Sequence, residues 1–330
     1  MLLAGISARL VRAKIGSNKK LSNYLWKRGL FLILLEFTVL WFAWTFNWHW
    51  QLFYMQVIWV LGVGMILLAL LIYLPSKWLG AFGLLLVFAH NLFDKVYLAP
   101  NTTAYYLWSI LHQKNVLPLL NGYSVRTTYP LIPLVGVMAL GYWLGNVYQA
   151  KFEARNRQRI LLQIGFAAVA LFLILRIFNL YGEPNLFTPQ SNITLTLMSF
   201  LNVTKYPTSL QFLLMTLGPA LIFLAWVEKF SARQIPGLNP LLTFGRVPMF
   251  YYIAHLYLLH FMGLLMALLA GYSWGSFNFT VKITGMPEGF HLPLWGVYAM
   301  SLLSILLLYL LCYWYGKWRH RSHSFLARYI

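Results

Sequence analysis

The sequence predicts an all-α protein, a polytopic transmembrane helical bundle of about eight full transmembrane helices plus an N-terminal half-helix. Three observations predict this fold: the apolar composition, the length of the apolar segments and the distribution of the basic residues. Hydrophobic residues make up 60% of the 330 residues and charged residues 9%, whereas about a quarter of the residues in a soluble domain are charged. We expect a single integral-membrane domain over residues 1–330.

Eight apolar segments approach or exceed the roughly 20 residues that a helix needs to cross a bilayer. They are predicted at residues 29–48, 52–74, 78–97, 130–149, 160–180, 208–228, 243–270 and 292–315. No internal repeat and no soluble domain interrupts them.

The basic residues favour one side of the membrane. Most of the 25 Lys and Arg residues fall in alternate connecting segments and in the tail after Gly316, and the opposite segments hold only Lys95, Lys114, Arg126, Lys205 and Lys282. Cytoplasmic loops of membrane proteins carry such an excess. The pattern therefore predicts a cytoplasmic C-terminus, and it explains the net charge of +19 without nucleic acid.

The first eight residues, MLLAGISA, precede a basic run that begins at Arg9. A signal peptide has its positive charge before the apolar core, so this order excludes one. Eight residues cover about 12 Å of a hydrocarbon core of roughly 30 Å. We expect the inner half of a membrane helix, whose outer half is not in this sequence.

Small residues and the single cysteine indicate packing. Gly141 and Gly145 form a Gly-x-x-x-Gly pair, which is typical of close helix contacts in membranes. Cys312 lies in an apolar segment, so we expect a core residue and no thiol chemistry.

His255 and His260 are five residues apart and lie about 140° apart around a helix, which argues against a shared metal site. Each of them either faces a pocket or forms a hydrogen bond in the core.

Three ionisable residues lie near the predicted cytoplasmic level: Arg28, Glu36 and Arg246. Charged side chains inside a membrane are rare and usually either pair or function. One interpretation is an ion pair between Glu36 and either arginine. The alternative is that Arg28 and Arg246 bind the phosphates of a cytoplasmic cofactor, because a guanidinium matches phosphate geometry.

A second polar layer lies at the predicted outer level. His90 and Asp94 are four residues apart on one helical face, with Asn91 between them. A carboxylate beside an imidazole orients it for general-base catalysis, although such residues also cap helices. The further members of the layer are Arg126, Arg176, Asn179, Lys205 and Tyr206. Together they favour a pocket for a polar substrate. We expect His90 to act as the general base in this pocket.

Several stretches of this sequence resemble one known family. They include LLAGISARL, WKRGLFLILLE, QVIWVLGVGMI, HNLFD, YPLIPLVGVMALGYWLG, LRIFNLYGEP, NVTKYPTSLQFLLMTLGP and FGRVPMFYYIAHLYLLH. In these stretches the chain is similar to the heparan-alpha-glucosaminide N-acetyltransferase catalytic-domain family, with its bacterial membrane members of unassigned substrate. The resemblance covers almost the whole chain.

The resemblance implies an integral membrane acyltransferase. The lysosomal member carries acetyl groups from cytosolic acetyl-CoA to an amino sugar across the membrane. By analogy, acetyl-CoA or another acyl-CoA is the expected co-substrate, a sugar or other small acceptor the second substrate, and the bacterial inner membrane the expected location. No tightly bound cofactor and no metal are expected. The chain either forms a homo-oligomer or is a monomer, and both alternatives stay open.

One departure from the family falls on the opening residues. The family begins with a further helix carrying an Asp-x-x-Arg-Gly pattern, and the histidine implicated in transfer belongs to that upstream region. That histidine has no counterpart in this sequence. His90, Asn91 and Asp94 are therefore the catalytic candidates among the polar residues that the sequence does contain. The alternatives are a transporter or flippase of a polar or lipid-linked substrate, and an inactive N-terminally truncated fragment.

Overall fold

The computed structural model describes residues 1–47, 51–228, 230, 239–279, 284–322 and 324. Contacts divide the chain into two compact units. Unit 1 comprises Met1–Ile33 and Tyr54–Ser231, and unit 2 comprises Leu34–Phe53 and Ala232–Ile330. The single domain expected from the sequence stays a prediction, and the basic residues Lys229, Arg233, Lys282 and Arg328 lie outside the described residues.

Helices account for most of the chain. In order they are α1 (Leu2–Ile15), α2 (Asn18–Leu35), α3 (Trp41–Thr45), α4 (Val57–Leu71), α5 (Ser76–Ala89), α6 (Thr103–Leu111), α7 (Leu131–Leu144), α8 (Ala154–Ile177), α9 (Ile193–Leu201), α10 (Leu210–Val227), α11 (Asn239–Arg246), α12 (Pro248–Leu269) and α13 (Leu294–Arg321). A π-helical turn, Glu36–Leu40, joins α2 to α3. The strands are β1 (Leu52–Met55), β2 (Val116–Pro118) and β3 (Ser124–Thr127).

The all-α membrane fold is confirmed. Across the described residues, seven helices are long and apolar enough to cross a membrane: Asn18–Thr45, Ser76–Phe93, Leu131–Tyr148, Ala154–Ile177, Leu210–Val227, Pro248–Leu269 and Leu294–Arg321. They match seven of the predicted segments. Their apolar surfaces require a lipid bilayer as solvent.

The segment predicted at 52–74 differs from the prediction. Its first residues form strand β1, and helix α4 has only 15 residues, Val57–Leu71. At 1.5 Å per residue this helix is about 22 Å long, less than a hydrocarbon core of roughly 30 Å. Among the described residues this segment therefore contributes a shorter apolar helix than predicted, because strand and turn residues were counted within it.

Close packing between α1 and α7 fixes the start of unit 1. The stretch MLLAGISA opens the 14-residue helix α1. A Cβ atom added to Gly5 would lie 2.1 Å from the Met138 oxygen, and one added to Gly141 would lie 2.1 Å from the Leu2 oxygen. A Cβ on Gly145 would lie 2.5 Å from the Arg9 Cβ atom. The packing role predicted for Gly141 and Gly145 is therefore confirmed.

The core of unit 1 brings the end of α5 next to the start of α10. Val87, Val137, Phe172, Leu210 and Leu213 form one buried cluster from helices α5, α7, α8 and α10. In a bilayer such contacts stabilise through van der Waals packing between the helices, because lipid tails are as apolar as these side chains. Residues that follow α5 therefore meet residues that precede α10.

A short helix and a hairpin fold over the same end of unit 1. The Thr102 side chain caps α6 by accepting a hydrogen bond from the Tyr105 main-chain nitrogen. Strands β2 and β3 pair antiparallel, with Val116 opposite Arg126, and β1 is the outer neighbour of β3. The segment 112–115 is held between α6 and this hairpin.

Unit 2 contains α11, α12 and α13. Val247, Cys312 and Tyr315 form a buried cluster, with Phe244, Phe250 and Tyr251 packed against it. Cys312 is fully buried, as expected of a core residue.

Candidate active site

A cavity of about 460 Å³ opens in unit 1 where these segments meet. Its volume lies within the roughly 300–1,000 Å³ of small-molecule sites. The segment after α5, the region of α6 and the loops before α10 form its walls. The lining residues are His90, Asn91, Asp94, Tyr97, Leu98, Pro100, Tyr105, His112, Gln113, Lys114, Asn115, Pro184, Pro207 and Thr208.

An imidazole and a carboxylate pair in this cavity. Nε2 of His112 lies 3.0 Å from Oδ1 of Asp94. The other carboxylate oxygen accepts a hydrogen bond of 2.8 Å from Nδ2 of Asn91. Because a carboxylate only accepts, this pairing places a proton on Nε2 of His112, and the neutral form of the ring then has its lone pair on Nδ1.

Nδ1 of His112 is buried and has no hydrogen-bond partner among the described residues. Leaving a buried polar atom unpaired costs about 1–3 kcal/mol, so each such atom calls for an explanation. Of the six such side-chain atoms among the described residues, only that of His112 belongs to a residue that lines this cavity. A neutral imidazole with a free lone pair is the usual general base of proteins.

Neighbouring groups fix the orientation of the His112 ring. The Trp108 ring lies against it with 4.9 Å between centroids, and the indole N–H of Trp108 donates to the Val96 oxygen at 3.1 Å. The His112 main-chain nitrogen donates to the Trp108 oxygen at 2.8 Å, at the end of α6.

The predicted pairing of His90 with Asp94 is not what the structure contains. His90 is buried, with Nδ1 at 2.8 Å from the Val87 oxygen and Nε2 at 3.0 Å from the Thr208 oxygen. Both ring nitrogens of His90 therefore lie at hydrogen-bond distance from main-chain carbonyl oxygens, and neither nitrogen is available to take a proton from a substrate. The physical reason is that α5 ends at Ala89. The next residues form a 3₁₀ turn, in which the helical register assumed for positions 90 and 94 does not hold.

Asn91 links the cavity walls. Its amide group donates to Asp94, and its Oδ1 accepts a hydrogen bond of 3.0 Å from the Leu210 main-chain nitrogen. The segment predicted as a site, His90 to Asp94, thus does line the cavity, with Asn91 joining the end of α5 to the start of α10.

Arg176 is buried outside the cavity, where it holds main-chain atoms. Its guanidinium donates to the main-chain oxygens of Asn185, Ser199, Phe200 and Asn202 at 2.6, 2.7, 2.9 and 3.1 Å. These bonds use most of its donors. The expected substrate contact from Arg176 is therefore replaced by a role in ordering the chain around α9.

Asn179 is also outside the cavity lining. It has a φ of 49°, a conformation that Asn adopts more readily than most residues. Its amide nitrogen donates to the Phe187 oxygen, and its amide oxygen accepts from the Phe187 nitrogen, both at 2.8 Å. Asn179 thus closes a local turn.

Glu183, which the sequence pattern did not single out, organises the wall on the α10 side. Its carboxylate accepts hydrogen bonds from the Thr204 main-chain nitrogen at 2.8 Å and from the Ser209 hydroxyl at 2.8 Å. It also accepts from the Asn185 main-chain nitrogen at 3.1 Å and from the Thr204 hydroxyl. Four bonds to one carboxylate fix the loops that carry Pro184, Pro207 and Thr208.

Lys205 and Tyr206 lie beside this wall, and neither lines the cavity. The Tyr206 hydroxyl forms a 2.8 Å hydrogen bond with the Tyr129 hydroxyl. Nζ of Lys205 lies 4.9 Å from the centroid of the Tyr206 ring, and Nζ of Lys114 lies 5.9 Å from it. Of the two lysines, Lys114 reaches the lining. Arg126 instead lies over the Tyr54 ring, 5.6 Å from its centroid.

Tyr181 lies near the carboxylate of Asp94. Burial, and secondarily the negative charge of Asp94, raise the pKa of the Tyr181 phenol. Its hydroxyl donates to the Phe88 oxygen at 2.6 Å. Tyr181 is therefore a hydrogen-bond donor that supports the end of α5.

The two histidines of α12 belong to unit 2. Nδ1 and Nε2 of His260 each lie 2.9 Å from a main-chain oxygen, of Ala43 and of Thr284 respectively. Of the two roles that the sequence allows for His260, the structure therefore has the hydrogen-bonded core residue. Nδ1 of His255 lies 3.2 Å from the Tyr251 oxygen. In the described part of the chain, no group of three or more His, Cys, Asp or Glu side chains is placed to hold a metal ion.

The predicted cofactor residues fall in different units. Arg28 lies half-buried on α2 in unit 1. Glu36 is buried in the π-helical turn of unit 2. Arg246 ends α11 in unit 2, and its main-chain oxygen accepts a 3.0 Å hydrogen bond from Arg319.

Sequence reasoning missed His112 because it lies 18 residues from Asp94. The available signal was the run HQKN at 112–115, four consecutive polar residues directly after the short apolar helix α6. All four line the cavity.

Comparisons with known proteins complete the description. The model of the family described as "Heparan-alpha-glucosaminide N-acetyltransferase, catalytic" matches residues 1–177. The match covers more than half of the chain and ends sooner than the near-complete resemblance expected from the sequence. Curated proteins and solved structures give no match. The chain belongs to the heparan-alpha-glucosaminide N-acetyltransferase catalytic family, which implies a membrane acetyltransferase-type function.

Proposed function

We propose that the protein transfers an acetyl or other acyl group from acyl-CoA to a sugar or another small acceptor in the cavity of unit 1. His112 is the general base, and Asp94 orients it. The observation that carries this proposal is the unpartnered Nδ1 of His112, opposite an Nε2 held by Asp94.

The proposed step is a direct transfer. Nδ1 of His112 takes a proton from the acceptor amine or hydroxyl while that group attacks the thioester carbonyl carbon. A new bond forms from nitrogen or oxygen to carbon, and the carbon–sulfur bond breaks. The imidazolium returns its proton to the leaving thiolate, so free CoA and the acylated acceptor are the products.

Asp94 contributes by position and charge. It holds the ring in the tautomer that leaves Nδ1 unprotonated, and it stabilises the imidazolium that forms during transfer. General-base catalysis contributes typically about 10²–10⁴-fold to a rate.

The cavity wall supports a polar acceptor. Gln113, Lys114 and Asn115 follow His112 directly and line the cavity beside it. Amide and ammonium groups form hydrogen bonds with hydroxyl groups of a sugar. Tyr105 adds an aromatic face to the same cavity.

The basic residues support a direction of transfer. Because they concentrate in alternate segments, we place the cavity on the outer side of a bacterial inner membrane and the C-terminus in the cytoplasm. The donor then binds from the cytoplasm with its thioester end reaching the cavity, and the acceptor enters the cavity from outside.

Mass spectrometry of acceptor panels tests the proposal. The purified full chain is incubated with isotope-labelled acetyl-CoA and amino sugars, neutral sugars and small amines. We expect one acceptor class to gain the labelled acetyl group while free CoA accumulates. Absence of transfer from acetyl-CoA and from longer acyl-CoA donors overturns the proposal. Uptake of an acceptor by proteoliposomes without any acyl donor favours the transporter instead.

A further inference from the structure

A second cavity, of about 960 Å³, lies in unit 2 between the C-terminal ends of α11 and α13. It is at the upper end of the roughly 300–1,000 Å³ of small-molecule sites. Five of its lining residues are basic, namely Arg246, Lys317, Arg319, His320 and Arg321, and the others are Thr243, Val247, Cys312, Tyr313 and Gly316. None of these residues is acidic.

Acidic side chains are sparse in this part of the sequence. No Asp or Glu occurs between Glu228 and Glu288 or after Glu288. Glu288 precedes α13, whose 28 residues extend about 42 Å, and the cavity lies at the other end of that helix. Glu36, the other acid of unit 2, is not part of the lining.

Helix dipoles compensate only part of the positive charge. Each helix C-terminus carries about −0.5 elementary charge, so the two helix ends supply about −1. Arg246, Lys317 and Arg321 alone carry three formal positive charges. The hydrogen bond of 3.0 Å from Arg319 to the Arg246 oxygen explains why the two helix ends meet, but it adds no negative charge.

We propose that this cavity binds the phosphate groups of an anionic ligand. Guanidinium groups pair with phosphate oxygens in a bidentate geometry, and an ammonium adds a point charge. Nζ of Lys317 lies 4.3 Å from the centroid of the Tyr313 ring, which places this ammonium at the cavity wall. Arg246, expected from the sequence to receive phosphates, thus has three further cations beside it on α13.

Two sources carry this chemistry, a soluble nucleotide such as CoA and the headgroup of an acidic phospholipid. The site lies outside the residues matched by the family model. It does not depend on the chemistry proposed for the cavity of unit 1, so binding is measured without turnover.

The test uses the purified full chain in phosphatidylcholine nanodiscs. CoA binding is measured by calorimetric titration, and phosphatidylglycerol binding by native mass spectrometry. The cavity variant combines Arg246→Gln with Lys317→Gln. The control variant combines Arg155→Gln with Arg159→Gln, which removes the same charge from exposed positions on α8.

We expect saturable binding of at least one probe, weakened tenfold or more in the cavity variant and less than twofold in the control. Binding of CoA alone identifies a soluble ligand, and binding of phosphatidylglycerol alone identifies a lipid headgroup. The proposal is overturned if neither probe saturates or if both variants weaken binding equally. Both variants must unfold at the wild-type temperature. If the cavity variant does not, Lys317→Gln alone is judged by the same criteria.

Discussion

Nε2 of His112 and Oδ1 of Asp94 lie 3.0 Å apart in the cavity of unit 1. The two residues come from different segments, one directly after α6 and the other in the turn after α5. His112, whose Nδ1 has no hydrogen-bond partner among the described residues, lines the same cavity. The structure thus separates two roles that the sequence assigns to one residue: His112 is the proposed base, and His90 links main-chain segments.

The substitution Asp94→Asn tests the orienting role. It keeps the shape of the side chain and removes its charge, so the His112 ring loses both its preferred tautomer and its stabilisation as imidazolium. We expect kcat to fall on the order of 10²-fold or more, with KM changed much less. Steady-state kinetics measure both constants. A fall in KM and kcat by the same small factor contradicts the orienting role.

The substitution His90→Asn tests the structural role of His90. One or both links to the oxygens of Val87 and Thr208 are lost, and we expect a loss of about 1–3 kcal/mol in the free energy of unfolding. Turnover of the folded fraction should stay within about tenfold of wild type, below the range for loss of a general base. Thermal unfolding and kinetics on the same sample provide the comparison. A normal unfolding temperature with abolished turnover would restore His90 as the base.

The substitution Arg176→Met tests the buried guanidinium. It removes the charged donor of four hydrogen bonds to main-chain oxygens, and a hydrogen bond to a charged group contributes about 1.5–3 kcal/mol. We expect the largest destabilisation among these variants, measured by thermal unfolding in detergent. Arg159→Gln, at an exposed position on α8, is the control and should unfold with the wild type. Equal unfolding of Arg176→Met and the control contradicts the structural role.

Gly141→Ala tests the contact between α1 and α7. The added methyl group would lie 2.1 Å from the Leu2 oxygen, and forced overpacking of this kind typically costs about 1–3 kcal/mol. Gly245→Ala is the matched control, because no atom lies within 4 Å of a Cβ built there. We expect only Gly141→Ala to lower the unfolding temperature. If the two variants unfold alike, α1 does not pack against α7 as described.

The membrane fold follows from properties that the sequence displays directly. Apolar length and the alternation of charge predict seven of the long helices, and Gly141 and Gly145 predict a helix contact. The exception is the segment 52–74, because its first residues, Leu52–Met55, are as apolar as a membrane helix but form a strand. Hydropathy does not distinguish a short strand from the first turn of a helix.

The site was predictable in part. The sequence predicted Asn91 and Asp94 for one polar pocket, since polar groups at the end of an apolar helix require partners, and both residues line the cavity of unit 1. It misassigned the partner of Asp94, because spacing along one helix reports only local neighbours. The pairing with His112 depends on how α6 folds back over the end of α5, and the donors of Arg176 depend on the loop around α9. Such long-range contacts leave no periodic signal in one sequence.

The measurement that tests the central claim most directly is acetyl transfer by His112→Asn. The variant protein is assayed in proteoliposomes with labelled acetyl-CoA and the acceptor identified by mass spectrometry. We predict that kcat falls at least 10²-fold while the unfolding temperature stays close to that of the wild type. A folded His112→Asn variant that transfers acetyl groups at the wild-type rate would contradict the account.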